Sequence, residues 1–426
     1  MMKGDEPSLR DRWSNSVDAL RTRSGQRHYR RVPSAITPLT PGDIAAGIAG
    51  QRNGTGHREF GAEIGSFLSA SGTASYTSFR RALCGCLLEI AGTADGDRTN
   101  VVIPAFCSSD FPDAIDGAGL TALRYDVDAE TLSADLESLT DLPTENTLAV
   151  VAINVLGYSS PMDRLEEYCR ENDIYLIEAL GYAFGAEYEG RRLGTFGDCS
   201  VLNFQQGKPI PIGGGMVVSR DSDLEFTDDG RPAVAPNVGL LAGYAALSHP
   251  RPYYLYSRVS DALDRLGAST ADVSTHPESK VDVPYEPPFA TISNFQGTVG
   301  QRVMKRLPRH RRQRADTAEV YATELADCPH VRHVQPVDGL SNHQYVRYPL
   351  VVDSTALRDE LRTALSDIGI ETAALYSWPP IDGDRFPGAS RLQDGIITLP
   401  THPYVDRDDR QRIVETVRAV ATAWRG

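Results

Sequence analysis

The sequence predicts an α/β protein with a large, mostly parallel β-sheet followed by a smaller C-terminal α/β domain. Apolar, strand-like runs alternate with helix-like segments over residues 36–219, which is typical of a parallel sheet covered by helices on both faces. A second alternating stretch follows residue 301. The length of 426 residues also exceeds what one hydrophobic core usually supports, so two domains are expected.

The domain boundaries follow from where this alternation begins, weakens and resumes. Residues 1–35 are rich in Arg and Ser and predict a charged, mobile tail or an arm lying on a partner subunit. Residues 36–300 are expected to form the large domain, with an insertion at about 221–289, and residues 301–426 the small domain. Aromatic residues concentrate at 249–256 within the insertion. Packing is the commoner role of such a cluster, and contact with a substrate or a second subunit is the alternative.

Individual elements follow from apolar periodicity and flanking polar residues. The large domain has predicted strands at residues 100–104, 148–153 and 174–177, with a predicted helix at 164–172. The small domain has a predicted strand near 345–352 and predicted helices near 356–367 and 406–424. The basic run at 306–314 predicts a solvated helix face, and phosphate binding is the less favoured alternative.

Charge and hydropathy exclude several classes of partner. The formal net charge is −14, which argues against nucleic acid because phosphate binding needs a basic surface. An acidic, Lys-poor surface is also typical of adaptation to concentrated salt, which screens self-repulsion. The sequence has no run of eighteen apolar residues, so no membrane span is expected. Residues 1–31 are charged and lack the apolar stretch of a signal peptide, which favours a cytoplasmic protein.

The cysteines and histidines do not form a recognisable ligand pattern. Six cysteines are scattered along the chain, and we expect them to be reduced thiols. The nine histidines show no metal-ligand spacing with Cys or carboxylates, so no metal site is expected.

Lys208 is the strongest candidate for chemistry. The chain has only four lysines against thirty-nine arginines, and this one lies in the segment NFQQGKP at residues 203–209. A lysine amine can lose its proton and condense with a carbonyl, whereas a guanidinium stays charged and is not nucleophilic. The sequence therefore predicts a nucleophilic amine at Lys208, and a surface or ion-paired lysine is the alternative.

Ser71, Gly72 and Thr73 are a candidate phosphate site. They open a helix-like run that continues to Leu88. Small residues at a helix start leave backbone N–H groups free for a phosphate, and the helix dipole adds to the attraction. An ordinary helix cap has the same pattern, so this signal is weak by itself.

Several short motifs occur in one order along the chain. They are SGT at 71–73, VIPAF at 102–106, YDVD at 125–128, LG at 156–157, PMD at 161–163, IE at 177–178, RLGTFGD at 192–198, GK at 207–208, GGG at 213–215 and LPTHP at 399–403. This order resembles that of the DegT/DnrJ/StrS family of pyridoxal-phosphate-dependent sugar aminotransferases. The resemblance extends over residues 36–421 and is most specific at 177–218.

The resemblance implies a fold-type I transferase, similar to aspartate aminotransferase, that binds pyridoxal 5′-phosphate. It further implies a homodimer that moves an amino group from a donor, typically glutamate, to a keto-sugar carried on a nucleotide. By position, Lys208 matches the Schiff-base lysine, and Gly72 and Thr73 match the phosphate-binding turn. Gly213 to Gly215 match the glycine turn that follows the lysine.

One departure from the family pattern concerns the cofactor ring nitrogen. The family usually carries Glu-Asp where this chain has Glu178 and Ala179, and the aspartate of that pair keeps the pyridine nitrogen protonated. Ala179 cannot supply that charge. Neighbouring residues on a strand point to opposite faces, so Glu178 is not expected to replace the aspartate.

Other departures affect the remaining cofactor contacts. Tyr182 replaces a glutamine, Asn154 a histidine, and Asn203 a serine that often contacts phosphate. Ser108 occupies the position of the residue that covers the ring, with Phe106 nearby if the register shifts. Together these changes remove charge and hydrogen bonds from one cofactor site.

Three functional interpretations stay open. The first is an active aminotransferase in amino-sugar or glycan biosynthesis, and the second is a degenerate family member that serves as a binding or accessory subunit. The third keeps the cofactor but performs elimination or dehydration on a sugar. His343 and Tyr376 are weaker candidates for the substrate pocket, and His402 is expected to be structural.

Overall fold

A seven-stranded sheet forms the centre of the large domain. The computed structural model describes residues 29–94, 96–226, 237–265, 289–376 and 380–425. The strands of this sheet are β1 (Gly72–Tyr76), β2 (Asn100–Pro104), β3 (Thr121–Tyr125), β4 (Thr147–Ile153), β5 (Tyr175–Ala179), β8 (Cys199–Asn203) and β9 (Gly215–Ser219). Their order is β1-β9-β8-β5-β4-β2-β3. β9 is antiparallel to both its neighbours and the other pairs are parallel, which confirms the predicted sheet.

The helices of the described part of the chain lie before, between and after these strands. In the large domain they are α1 (Pro41–Asn53), α2 (Gly56–Leu68), α3 (Phe79–Thr93), α4 (Asp110–Gly117), α5 (Leu136–Thr140), α6 (Met162–Glu171), α7 (Asn237–Leu247), α8 (Pro250–Arg265) and α9 (Asn294–Met304). A 3-10 turn spans Val155–Gly157. The predicted helix at 164–172 corresponds to α6.

The sheet is buried on both faces, as its apolar sequence requires. Along β4, Val150 and Ala152 belong to one hydrophobic cluster, whereas Ala149 and Val151 belong to another. Successive strand residues point to opposite faces, so these two clusters are the helix-covered layers on either side of the sheet. Burial on both faces explains why β4 reads as a continuous apolar run rather than an alternating one.

The small domain contains a three-stranded antiparallel sheet of order β10-β12-β13. Its elements are α10 (Leu307–Glu324), β10 (Val331–His333), β12 (Arg347–Val352), α11 (Thr355–Asp367), α12 (Pro387–Gly395), β13 (Ile396–Pro400) and α13 (Arg407–Ala423). The predicted strand and two helices of this domain are therefore confirmed. A further small sheet joins β11 (Leu340–Ser341) to β6 (Glu187–Tyr188) and β7 (Arg191–Arg192) of the large domain.

The described residues before position 36 are packed against the small domain. Val32 pairs with Ile370 in a parallel bridge, and Arg30 forms an ion pair of 2.5 Å with the buried carboxylate of Asp409. Residues 29–35 therefore do not form the mobile tail that the sequence predicts, and residues 1–28 lie outside the described chain. A few long-range contacts outweigh the polar composition of this segment.

The basic run also differs from its prediction. It begins α10, but the Arg314 side chain is fully buried and His310 is 6% exposed. Arg306 forms an ion pair of 2.6 Å with the buried Asp43 carboxylate. The prediction of a solvated face therefore holds for one side of the run, where Arg309 and Arg312 are exposed, and is wrong for the side that carries His310 and Arg314.

Across the described ranges, no helix is both long and apolar enough to cross a membrane. The same residues contain no group of three or more His, Cys, Asp or Glu side chains that could hold a metal ion.

Candidate active site

A cavity of about 690 Å³ lies at the carboxyl ends of the parallel strands. Residues that end or follow β2, β4, β5 and β8 line it, which is where open α/β sheets bind their ligands. The small domain closes the opposite side with Arg347 and residues 371–376. Both domains therefore contribute to one cavity, whose volume is typical of a small-molecule site.

Lys208 is held at this cavity by the loop between β8 and β9. Two backbone hydrogen bonds close the base of the loop, from Gly213 N–H to Phe204 O at 2.6 Å and from Phe204 N–H to Gly214 O at 3.0 Å. Gly214 has a φ of 87°, and a Cβ there would lie 2.6 Å from the Tyr76 carbonyl oxygen, so the turn requires glycine. The glycine turn predicted after the lysine is confirmed.

A buried network fixes the Lys208 backbone from the opposite side. Thr37 Oγ1 donates a 2.7 Å hydrogen bond to the Lys208 carbonyl oxygen and accepts one from the Arg314 guanidinium. Thr37 and Arg314 are both fully buried. The main chain at Lys208 is therefore tied to α10, and neither residue was recognised in the sequence because their contacts span more than 170 positions.

The Lys208 amine contacts the aromatic ring of Tyr182, with Nζ 3.2 Å from the ring centroid. Burial lowers the pKa of Lys208 below its ordinary value; Tyr182 opposes this shift and the positive charge of Arg347 adds to it. Burial alone would raise the pKa of Tyr182, but the charges of Lys208 and Arg347 outweigh it and lower that pKa. A buried amine with a lowered pKa is available as a nucleophile and a base.

Six of the predicted site residues line the cavity together. They are Ser108, Asn154, Ala179, Tyr182, Asn203 and Lys208. Phe106 lies behind the lining, fully buried, with its ring 4.9 Å from that of Tyr376, which does line the cavity. Phe106 therefore supports Tyr376 from the core and does not reach the cavity itself.

The prediction for Ser71, Gly72 and Thr73 is wrong, because these residues begin a strand and not a helix. Gly72 and Thr73 belong to β1, and Ser71 Oγ donates to the Ser219 carbonyl oxygen. β1 places Gly72 about 13 Å from its carboxyl end, at the edge of the sheet away from the cavity. The strand was not predicted because β1, with the sequence GTASY, has few of the large apolar residues that are typical of a buried strand.

The helix start that does lie at the cavity is that of α3. Ser78 caps this helix by accepting from Arg81 N–H, and Phe79 in the first turn lines the cavity. The sequence does indicate this helix start, because Ser78 is a typical N-cap residue and the helical spacing of apolar residues begins directly after it, at Phe79. Arg80, in the same turn, forms an ion pair of 3.3 Å with Asp110.

Glu178 and Ala179 point in opposite directions, as the sequence predicts. Ala179 lines the cavity, whereas Glu178 is fully buried on the other face. The Glu178 carboxylate accepts hydrogen bonds from the backbone N–H groups of Gly194 and Phe196, at 2.6 Å each, and of Gly197 at 2.8 Å. It serves the loop before β8 and supplies no charge to the cavity.

The polar groups of the lining test whether pyridoxal phosphate fits here. Asn154 Nδ2 is buried without a hydrogen-bond partner among the described residues, and so are Nε and Nη1 of Arg347. Unsatisfied donors beside a buried amine fit a ligand with an aldehyde and several anionic oxygens. Asn203 is already engaged, because Nδ2 donates to Gln205 Oε1 and Oδ1 accepts from Gln205 N–H.

Two other histidine candidates lie away from the lining. His402 is fully buried and its Nε2 hydrogen-bonds to the Pro33 carbonyl oxygen at 2.8 Å, which agrees with its predicted structural role. His343 packs between the rings of Tyr158 and Tyr345, and burial lowers its pKa to about 3. Burial lowers the pKa of His402 as well, so both imidazoles favour the neutral form, and neither lines the cavity.

Aromatic residues of α8 complete the entrance. Tyr253 and Tyr256 line the cavity, and the Tyr253 hydroxyl donates a 2.8 Å hydrogen bond to Glu371. Glu371 also forms an ion pair of 2.7 Å with Arg31. The aromatic cluster therefore has both predicted roles, because Tyr253 and Tyr256 face the cavity while Tyr254 and His249 pack against Tyr29 and Tyr404.

Comparisons with known proteins agree with this architecture. The sequence profile of the DegT/DnrJ/EryC1/StrS aminotransferase family matches residues 45–227 and 290–418. A GDP-perosamine synthase from Vibrio cholerae is 25% identical over 343 residues, which cover 78% of this chain and 82% of that protein.

Solved structures show the same fold. The aminotransferase TlmJ from Streptoalloteichus hindustanus superposes with a TM-score of 0.71 at 22% identity, covering 92% of this chain and 99% of that one. A sugar aminotransferase from Streptococcus pneumoniae, solved in a PLP form and described as putative, also gives 0.71, at 18% identity, covering 93% of this chain and 100% of that one. The family profile spans most of the sequence and includes Lys208. This chain therefore belongs to the DegT/DnrJ/EryC1/StrS aminotransferase family.

Proposed function

We propose that this protein transfers an amino group from an amino donor, glutamate, to a keto-sugar that is carried on a nucleotide, with pyridoxal 5′-phosphate as its cofactor. The observation that carries the proposal is the buried Lys208 amine at the cavity between the two domains. Its family membership and the sugar aminotransferases among its relatives support it.

The roles of the cavity residues follow from their positions. When joined to Lys208 through its aldehyde, pyridoxal phosphate supplies an electron sink that makes the C–H bond next to an amino group acidic. Lys208 Nζ would hold the cofactor and then move the proton, because burial favours its neutral form. Tyr182 positions this amine, and Asn154 offers a donor to the cofactor. Arg347 offers donors to an anionic group of a substrate. The α3 N-terminus, at Phe79, offers the positive end of a helix dipole.

Supplying pyridoxal phosphate and glutamate, without any sugar, tests the first half of this reaction. We expect about one 2-oxoglutarate per active site, measured by quenched-flow or endpoint assay in both dilute and concentrated salt. A keto-sugar nucleotide should then convert this single turnover into continuous turnover. A folded protein that yields no 2-oxoglutarate from glutamate, and no corresponding 2-oxo acid from any of a panel of other amino acids, would exclude the proposal.

A second candidate is a degenerate subunit that keeps the fold for binding. Ala179 favours it, because no carboxylate occupies the position of the family's aspartate and Glu178 is turned away. Ser108 also offers no ring to cover the cofactor. In that case Lys208→Ala would leave the biological function intact.

Replacing Ala179 by aspartate separates these two candidates. In an active enzyme we expect Ala179→Asp to bind pyridoxal phosphate about tenfold more tightly, since one charge-assisted hydrogen bond contributes about 1.5 kcal/mol or more. Ala179→Asn is the matched control, with the same shape and no charge. Absorbance titration measures both affinities. Equal affinities for the two variants would show that another group already binds the ring nitrogen.

The assembly, location and habitat are further parts of the proposal. Family resemblance supports a homodimer. Free thiols at all six cysteines support a reducing, cytoplasmic location. The charge of −14 supports adaptation to salt.

A further inference from the structure

The cavity contains a positively charged side chain that has no anionic partner among the described residues. Arg347 begins β12 of the small domain and lines the cavity together with Lys208 and Tyr182. Its Nε and Nη1 atoms are shielded from solvent and have no hydrogen-bond acceptor in the part of the chain that the structure describes. A guanidinium donates five N–H bonds and cannot be neutralised, so burying two of its nitrogens unpaired is costly.

The other charged groups around the cavity are paired. Arg31 is bound to Glu371 at 2.7 Å, Asp110 to Arg80 at 3.3 Å, and Arg362 lies 3.7 Å from Asp359 on an exposed helix face. Among the described lining residues, Lys208 and Arg347 are therefore the cations outside these ion pairs. A protein with a net charge of −14 thus keeps a net positive cavity, which fits an anionic ligand.

The position of Arg347 favours a carboxylate close to the reacting amine. Its charge shifts the pKa values of both Lys208 and Tyr182, so it acts on the same end of the cavity as the nucleophile. In an amino acid, the α-carboxylate is only one carbon from the amino group. A donor whose amine reaches the Lys208 Nζ region therefore brings a carboxylate within a few bond lengths, and a guanidinium binds carboxylates in a planar, two-bonded geometry.

A cofactor phosphate is the competing source of anionic oxygens. The helix start available to a phosphate is that of α3, which follows β1 in the large domain. In the sheet, β1 is two strands from β8, which leads to Lys208, whereas Arg347 comes from the small domain. The two positively polarised groups therefore approach the cavity from different domains.

We infer that Arg347 is the anchor for the α-carboxylate of the amino donor, an inference that rests on the proposed amino transfer at Lys208. The guanidinium holds the carboxylate while the donor amine faces the cofactor. Its unpaired donors are satisfied only when the donor is bound. The small domain thereby contributes to selecting an amino acid over a plain amine.

Calorimetric titration of the full-length protein loaded with pyridoxal phosphate tests this role directly. The probes are 2-oxoglutarate, which keeps the carboxylates but has no amine, and inorganic phosphate. We expect Arg347→Gln to weaken 2-oxoglutarate binding about 10- to 100-fold and Arg347→Lys to weaken it less. The affinity for pyridoxal phosphate, from absorbance titration, should stay within about threefold. Arg362→Gln is the matched control, because this residue is also at the cavity but paired, and it should bind like wild type.

Two results would overturn the inference. Unchanged 2-oxoglutarate binding in Arg347→Gln would show that the carboxylate is held elsewhere. Loss of pyridoxal phosphate or inorganic phosphate binding, with 2-oxoglutarate binding retained, would assign Arg347 to the cofactor phosphate instead. Thermal melts test for misfolding, because removing an unpaired buried charge should not lower Tm. At equal concentration, 2-oxoglutarate should raise Tm less in Arg347→Gln than in wild type.

The proposed function can fail separately from this inference. If wild type releases no 2-oxoglutarate from glutamate, but Arg347→Gln still loses affinity for added 2-oxoglutarate, the carboxylate site stands and amino transfer does not. If turnover occurs and Arg347→Gln raises the KM for glutamate without changing kcat or the KM for the sugar, both proposals are supported.

Discussion

Lys208→Ala is expected to abolish the visible absorbance band that forms when pyridoxal phosphate is added to the wild-type protein. Amino transfer should fall by about 10³-fold or more, because the variant lacks both the nucleophile and the proton-moving base. Borohydride reduction followed by peptide mass spectrometry should place the pyridoxyl group on Lys208 in wild type. Lys208→Arg keeps a positive charge in the same loop and serves as the matched control. It should also lack the band, since a guanidinium stays charged and does not condense with an aldehyde.

The pH dependence of this band has a defined direction. Only the neutral amine reacts, so band formation should increase as the pH rises through the pKa of Lys208. Because burial lowers that pKa, the increase should occur at lower pH than for a free lysine. A stopped-flow pH series measures it. A midpoint at or above that of free lysine would mean that Tyr182, which opposes the shift, controls the amine instead.

The absence of a band in both wild type and Lys208→Ala would exclude the enzymatic interpretation. The chain would then be the degenerate subunit, with its cavity retained for another ligand. A band in both proteins would instead place the covalent attachment at one of the other lysines. These outcomes are distinct because, among the residues that the structure describes, Lys208 is the one lysine that lines the cavity.

The fold was predictable because its signals are local. Strands such as β4 are continuous apolar runs, since both faces of the sheet are buried, and helices such as α11 show clear amphipathic periodicity. Lys208 was predictable for a different reason. It is a rare residue type in this chain and is followed by three consecutive glycines, and both facts can be read from the sequence alone. The structure adds that Gly213 and Gly214 have positive φ.

The errors occurred where tertiary contacts outweigh local patterns. Ser71, Gly72 and Thr73 resemble a helix start, but β1 is fixed by pairing with β9 from Gly72 to Tyr76. Arg314 looks like part of a solvated basic run, yet it is buried because its helix packs between the domains and it binds Thr37. No spacing rule connects residues that are 277 positions apart.

The small-domain side of the cavity was the least predictable part. Arg347 is one charged residue at the start of an apolar strand, and its significance depends on its lack of a partner in three dimensions. Tyr376 was a weak candidate in the sequence, and it becomes a lining residue because Phe106 supports its ring. Small-domain residues line the cavity opposite the strand ends of the large domain. No local sequence motif indicates which residues of the two domains come together there.

Glu178→Ala is expected to lower the free energy of unfolding by about 3 kcal/mol or more, because it leaves three buried backbone N–H groups without an acceptor at about 1–3 kcal/mol each. Urea denaturation measures the loss. Glu178→Gln should lose less, since its amide oxygen still accepts while its NH₂ faces donors. Glu145→Ala, at an exposed loop position, is the control and should change stability by less than about 0.5 kcal/mol.

This prediction also decides what the Glu178 carboxylate is for. Its orientation away from the cavity requires that the folded fraction of Glu178→Gln bind pyridoxal phosphate as tightly as wild type. Weakened cofactor binding at unchanged stability would mean that Glu178 reaches the ring nitrogen through a rearranged strand, which would replace the missing aspartate. Lost stability with retained cofactor binding would mean that the glutamate of the family's Glu-Asp pair stabilises the loop before β8 in this protein. In that case Ala179 marks the altered chemistry of the site.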